Sequence, residues 1–203
     1  MTNGMSRAGF LRRGAVGGGA VLVTASGLST LGFADVASAA APPDADLAYL
    51  RLLIAAELLA IDFQTAALAS GKLGHAAQSL ARRIRGDETD HYTHLAAVMT
   101  AAGQTPATSG DIDFSYPRGT FRSEASILRL AGRLEQLMVG AYVGAIENLE
   151  TPELRLTTGQ IAANEAQHEG ALAALDGRPV IGKAFAPALQ IGAVSDALDE
   201  FES

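Results

Sequence analysis

The sequence predicts an all-α protein: a four-helix bundle made of two antiparallel hairpins joined by one long crossover. Three observations predict it. Hydrophobic residues make up 48% of the 203 and aromatics only 5%, and the abundance of Ala and Leu with few β-branched runs favours helix. Four long segments repeat apolar residues every three or four positions, the spacing of a helix with one buried face. The connections are unequal. The first and third are short turns, whereas about twenty residues, GQTPATSGDIDFSYPRGTFR, separate the second and third helices. Short turns make antiparallel neighbours, and a long link lets the second hairpin cross over.

The first helix is expected over 44–70, after which SGKLG turns the chain. The second covers 75–102 and stops at Gly103, since glycine suits the left-handed residue after a helix. Its inward stripe is Ala77, Leu80, Ile84, Leu95 and Val98. The third covers 123–149, with Leu128, Ala131, Met138, Tyr142 and Leu149 inward. The fourth starts at Thr151-Pro152, a cap followed by proline at the first helical position, and ends before Gly177. Phe114, Tyr116 and Phe121 of the crossover are expected to cover a bundle face, and 177–203 to form a tail packed on it.

The N-terminus reads as an address. Arg7, Arg12 and Arg13 precede a weakly apolar, glycine-rich run over 14–33, and Ala37-Ser38-Ala39 forms a cleavage pattern. Ser6 to Arg12 resembles the twin-arginine export signal, departing from it at Ala8; the adjacent pair Arg12-Arg13 is followed by Gly-Ala-Val. Residues 1–39 are therefore expected to be a cleaved export signal, with an ordinary secretory signal or an uncleaved anchor as alternatives, and 40–203 the functional domain. The glycines make the run a poor lasting membrane span, so no stable span is expected after cleavage. The protein is expected outside the cytoplasm, in the periplasm, the cell envelope or the medium.

Charge and cysteine content exclude several function classes. Net charge is −7, and loss of three arginines and Asp35 with the signal makes it −9. No dense basic patch lies beyond the N-terminus, which argues against nucleic acid as a partner. With no cysteine, disulfides, iron–sulfur clusters, thiolate zinc sites and rubredoxin-type iron are ruled out.

Each apolar stripe is interrupted near its middle. LLIAAELLAI carries Glu57, RGDETDHYTHL carries Glu88 and His91, GRLEQLMVGAY carries Glu135, and AANEAQHEGAL carries Glu165 and His168. A buried ionised carboxylate is costly unless paired, hydrogen-bonded or bound to metal. Residues three apart share a helix face, so each Glu-x-x-His acts as a unit. Glu57 precedes Glu88 by about as many positions as Glu135 precedes Glu165, which gives two hairpins of like pattern.

This set resembles the ferritin-like superfamily of di-iron and di-manganese carboxylate proteins. Within it the chain is similar to exported single-domain ferritin-like proteins sometimes called desiccation-related, the tail FAPALQIGAVSDALDEF included. The resemblance implies a ferritin-like bundle with two divalent ions, iron or manganese with zinc as the alternative, held by Glu57, Glu88, His91, Glu135, Glu165 and His168. Four carboxylates would neutralise two divalent ions, and nitrogen with oxygen donors suits these metals. The implied chemistry is oxidation of ferrous iron or consumption of oxygen or peroxide. In the alternative reading the metal only stabilises the bundle of a non-enzymatic envelope stress or binding protein. A metal-free core with glutamates paired to histidines is a further alternative, and a homo-oligomer is compatible with the sequence.

Other polar residues carry weaker expectations. His75 reads as solvated, and Asp87, Asp90, Arg82 and Arg83 as an outer face. His94, Asp62 and Gln64 are candidates for supporting the ligands. Tyr92 and Tyr142 read as bundle-core residues, with a place near the site, where a tyrosine can pass electrons to an oxygen-activating metal, as the alternative.

Overall fold

The structure, a computed structural model, describes residues 41–202; the export signal expected over 1–39 lies outside the described residues. Among the described residues five α-helices follow one another: α1 (Asp44–Ala69), α2 (His75–Ala101), α3 (Glu124–Asn148), α4 (Pro152–Leu175) and a short α5 (Ile191–Asp199), with a 3₁₀ turn at Thr120–Arg122. Helix α1 packs on α2 and α3 on α4; across the hairpins α1 meets α3 and α2 meets α4. This is the expected bundle of two hairpins, and its four long helices end within two residues of the expected bounds.

Local chemistry sets those ends. Gly103 (φ 72°) and Gly177 (φ 67°) are left-handed, and each follows a helix end closed by paired backbone bonds. Gly103 N–H donates to Thr100 O and Gln104 N–H to Met99 O, both at 2.9 Å. Gly177 and Arg178 repeat the pattern on Ala174 and Ala173, the arrangement that satisfies orphan carbonyls at a helix C-terminus. Ser123 caps α3 in a reciprocal box with Ser126. The start of α4 differs from expectation in one respect. Pro152 occupies the first turn, but the Thr151 side chain makes no cap bond. The fully buried Asp46 of α1 instead accepts Glu150 N–H at 2.8 Å and Thr151 N–H at 2.9 Å, tying the two hairpins together.

Helix α1 is apolar all round and sits centrally. By length and composition it could cross a membrane, yet 67% of its most apolar window is buried in the bundle. The buried face of α2 runs through Ala77, Ala81, Ile84, Glu88, Leu95 and Met99, so Leu80 and Val98 lie at its margin. The stripe expected from sequence is turned slightly from the row that centres Glu88. The crossover aromatics close one side: Tyr116 and Phe121 pack on Phe63 with ring centres 5.4 and 5.7 Å away. The tail crosses α3 where Leu189 N–H donates to Gly140 O at 2.9 Å. A side chain at Gly144 would collide with the Leu189 carbonyl. Beyond it, α5 buries Val194 and Leu198 against α1 and α3.

Candidate metal centre

Each of the four long helices delivers its interrupting residues to one point in the core. Glu57, Glu88, Glu135 and Glu165 are at most 2% exposed, and His168 is also buried. His91 is nearly so, its side chain 13% exposed. The six sequence-marked residues form two overlapping clusters. Glu57, Glu88, His91 and Glu165 make one; Glu88, Glu135, Glu165 and His168 make the other, and within each the donor atoms lie within 4.8 Å of one another. Glu88 and Glu165 belong to both.

The two imidazoles face each other with ring centres 6.5 Å apart. His91 Nδ1 lies 3.2 Å from Glu88 Oε2, 3.1 Å from Glu165 Oε1 and 3.7 Å from Glu57 Oε2. His168 Nδ1 lies 3.3 Å from Glu88 Oε1, 3.5 Å from Glu135 Oε2 and 3.3 Å from Glu165 Oε2. One ring nitrogen can donate one well-aligned hydrogen bond, not three. Glu57 Oε2, Glu88 Oε1, Glu135 Oε2 and Glu165 Oε1 are accordingly buried without a hydrogen bond. Unsatisfied buried oxygens are rare and need an explanation. A cation at each cluster supplies one, since it would take the inward nitrogen and the bare oxygens together. The donor set, oxygen with nitrogen and no sulfur, fits iron, manganese or zinc.

The electrostatics without metal show the strain that a cation would relieve. Burial, followed by the Glu88 charge, holds the Glu57 carboxyl well above the usual carboxylate range. Burial likewise raises Glu135, against the opposing bond to His168. Burial would raise Glu88 too, but its contacts with His168 and His91 overcome this and lower it to about 2. For His91, burial favours the neutral ring; contacts with Glu165, Glu57 and Glu88 win and push it up to about 12. His168 is raised by Glu135, Glu165 and Glu88 against the same burial. Protons on Glu57, Glu135 and the two imidazoles thus offset the clustered negative charge.

The surroundings differ on the two sides. Asp87, expected on the solvated outer face, instead lies with Oδ2 3.2 Å from His168 Nε2 and receives Arg83 Nε at 2.8 Å. One residue from Glu88 is about 100° around the helix, enough for its carboxylate to reach sideways to α4. It holds the proton on Nε2 and turns Nδ1 inward, an orientation that histidine ligands generally need. Tyr142, expected in the core, is fully buried and also donates its hydroxyl to Glu57 Oε1, leaving Oε2 bare. On the other side His91 borders a cavity of about 250 Å³ lined with Asp90, His94, Thr157, Gln160 and Ile161.

Of the other sequence candidates, His94 shares the cavity beside His91, and the rest stand apart. His75 is exposed. Tyr92 turns its hydroxyl to Ala107 O at 2.9 Å. Asp62 accepts from Tyr116 at 2.6 Å, and Gln64 is buried without a bond to any of the six. Asp87 is the contact that sequence reasoning missed, and for Tyr142 the sequence offered a place near the site but not its bond to Glu57. Tyr142 lies seven residues after Glu135, two turns along the same face, and that spacing was the available signal.

Among solved structures, a conserved hypothetical protein from Mycobacterium tuberculosis shares the fold, with a TM-score of 0.59 at 20% identity over 70% of this chain and 97% of its own. At that identity the likeness speaks for the fold alone. No curated protein matches the chain. The sequence does match the family described as ferritin-like domain, over residues 45–178, a stretch that contains all four long helices and all six clustered residues. The chain belongs to the ferritin-like domain family.

Proposed function

We propose that the protein is a redox metalloprotein whose Glu57, Glu88, His91, Glu135, Glu165 and His168 hold two iron or manganese ions. The observation that carries this reading is the sharing of Glu88 and Glu165 between the two clusters, because a carboxylate with one oxygen in each cluster can serve two ions at once. Two such ions, when bound, would supply paired one-electron changes, enough to reduce dioxygen to peroxide or to consume peroxide. The residues set the conditions: Tyr142 and Asp87 fix Glu57 and His168, and the packed core excludes bulk water. The cavity beside His91 gives small molecules an approach from one side, which favours turnover over a metal that only staples the bundle.

The test is oxygen uptake. Anaerobic protein loaded with ferrous iron should consume oxygen on mixing and develop ferric absorbance, and Glu135→Ala should slow this strongly. Loaded protein that stays ferrous in air, or takes up oxygen no faster than Glu135→Ala, leaves the structural reading. We further propose that the chain is exported through a signal in 1–39, which would let a folded, metal-loaded protein leave the cytoplasm.

A further inference from the structure

A second polar feature lies on the outside of α3, away from the metal centre. Arg129 and Arg133 stand one turn apart on α3, Arg118 comes from the crossover, and Arg178 follows the end of α4; together they line one cleft of about 520 Å³. The whole sequence has 15 lysines and arginines against 22 acidic residues. Gathering four guanidiniums in one cleft of an acidic protein therefore runs against its overall balance. Arg129 and Arg133 repel each other at that spacing. Among the described residues, no carboxylate pairs with Arg118, Arg129 or Arg133; Asp176, outside the cleft lining, accepts Arg178 Nε at 2.9 Å.

The position of Arg178 is built by the fold. The backbone bonds around Gly177 place it directly after α4, and Asp176 holds its Nε. Its guanidinium then reaches Gly132 in mid-α3, with Nη2 where a β-carbon would be. A mid-helix glycine weakens a helix, and here it gives the guanidinium its seat. Nη2 ends buried against α3 at Gly132. Four guanidiniums from three segments, with only Arg178 paired to a carboxylate, call for an anion with several oxygens. Planar guanidinium forks match phosphoryl and carboxylate oxygens in pairs, and the volume lies in the range of small-molecule sites.

We propose that this cleft binds a small oxyanion bearing two or more phosphoryl groups. A phosphoryl group presents three terminal oxygens on different edges and so can accept from more than one fork at once. An oligophosphate also brings three or more negative charges to the cleft's net excess of three positive ones. The site involves none of the six clustered residues and stands whether or not the metal reading holds.

Titration calorimetry of the full chain with tripolyphosphate tests it, with citrate and phosphatidylglycerol vesicles as competing chemistries. One tripolyphosphate per chain should bind, more weakly as salt rises. Arg129→Ala/Arg133→Ala should weaken it by at least about tenfold while circular dichroism shows an unchanged fold. Gly132→Ala, which leaves every arginine in the sequence, should also weaken it by displacing Arg178. The proposal is overturned if tripolyphosphate does not bind, if the double variant binds it equally, as phosphate caught at the metal centre would, if citrate binds more tightly, or if only the vesicles bind.

Discussion

The Tyr142 hydroxyl of α3 donates to Oε1 of Glu57 on α1, both fully buried. The bond links the two hairpins at the level of the cluster and fixes which Glu57 oxygen faces His91. Tyr142→Phe removes the donor and strands a buried oxygen, which costs about 1–3 kcal/mol. The metal-free variant should therefore melt lower than wild type, and its metal affinity should fall on the His91 side. An unchanged melting curve and unchanged affinity would show that the bond positions nothing.

Asp87 and His168 give a second test. Asp87→Ala frees the His168 ring to turn and should lower affinity for one ion of the pair by about 10–100-fold, as read by competition with a chelator. Asp90→Ala should keep both ions, because two residues from Glu88 is about 200° around α2 and Asp90 is exposed. Equal loss from both variants would point to general surface charge rather than to the Asp87–His168 contact.

The metal-free core should prefer mild acid. Folded values for Glu57 and Glu135 lie above the ordinary 4.5, and for His91 about 12 against 6.5. Their stabilising protonation is complete below those ordinary values and is lost as pH rises toward the folded ones. Glu88, lowered to about 2 from 4.5, acts oppositely, and its contribution is lost as pH falls from 4.5 toward 2. Metal competes for the same positions as the protons, so binding should release protons and tighten with pH. Calorimetric melting should show metal-free protein weakening between about pH 6 and pH 8.5 while metal adds more stability at the higher pH. The reverse order would contradict the electrostatics.

Export is tested by replacing Arg12 and Arg13 with lysine. The mature chain should begin near Ala40, and the double variant should remain inside the cell if the twin-arginine route uses that pair. Normal export of the variant would move the signal to Arg7 or to the general secretory route.

The bundle was legible because its signals are local. Helix spacing, Gly103, Ser123, Pro152 and Gly177 mark ends within a few residues of themselves, and the two Glu-x-x-His pairs mark a face by their own spacing. What sequence did not carry depends on reach between helices. Asp46 holds backbone more than a hundred positions away, and nothing near it in sequence distinguishes it from a solvated first-turn acid. Asp87 looks like any charge on an outer face until α4 is beside it. Tyr142 fits an apolar stripe by its ring, and its hydroxyl gains a role only once α1 supplies Glu57.

The proposed two-metal centre shared by both hairpins is tested most directly by elemental analysis of protein purified from its native compartment without chelator. Wild type should carry close to two ions per chain, iron or manganese, and Glu88→Ala or Glu165→Ala, each removing a residue common to both clusters, should lose at least one. Metal-free native protein, or two ions retained after either substitution, would contradict it.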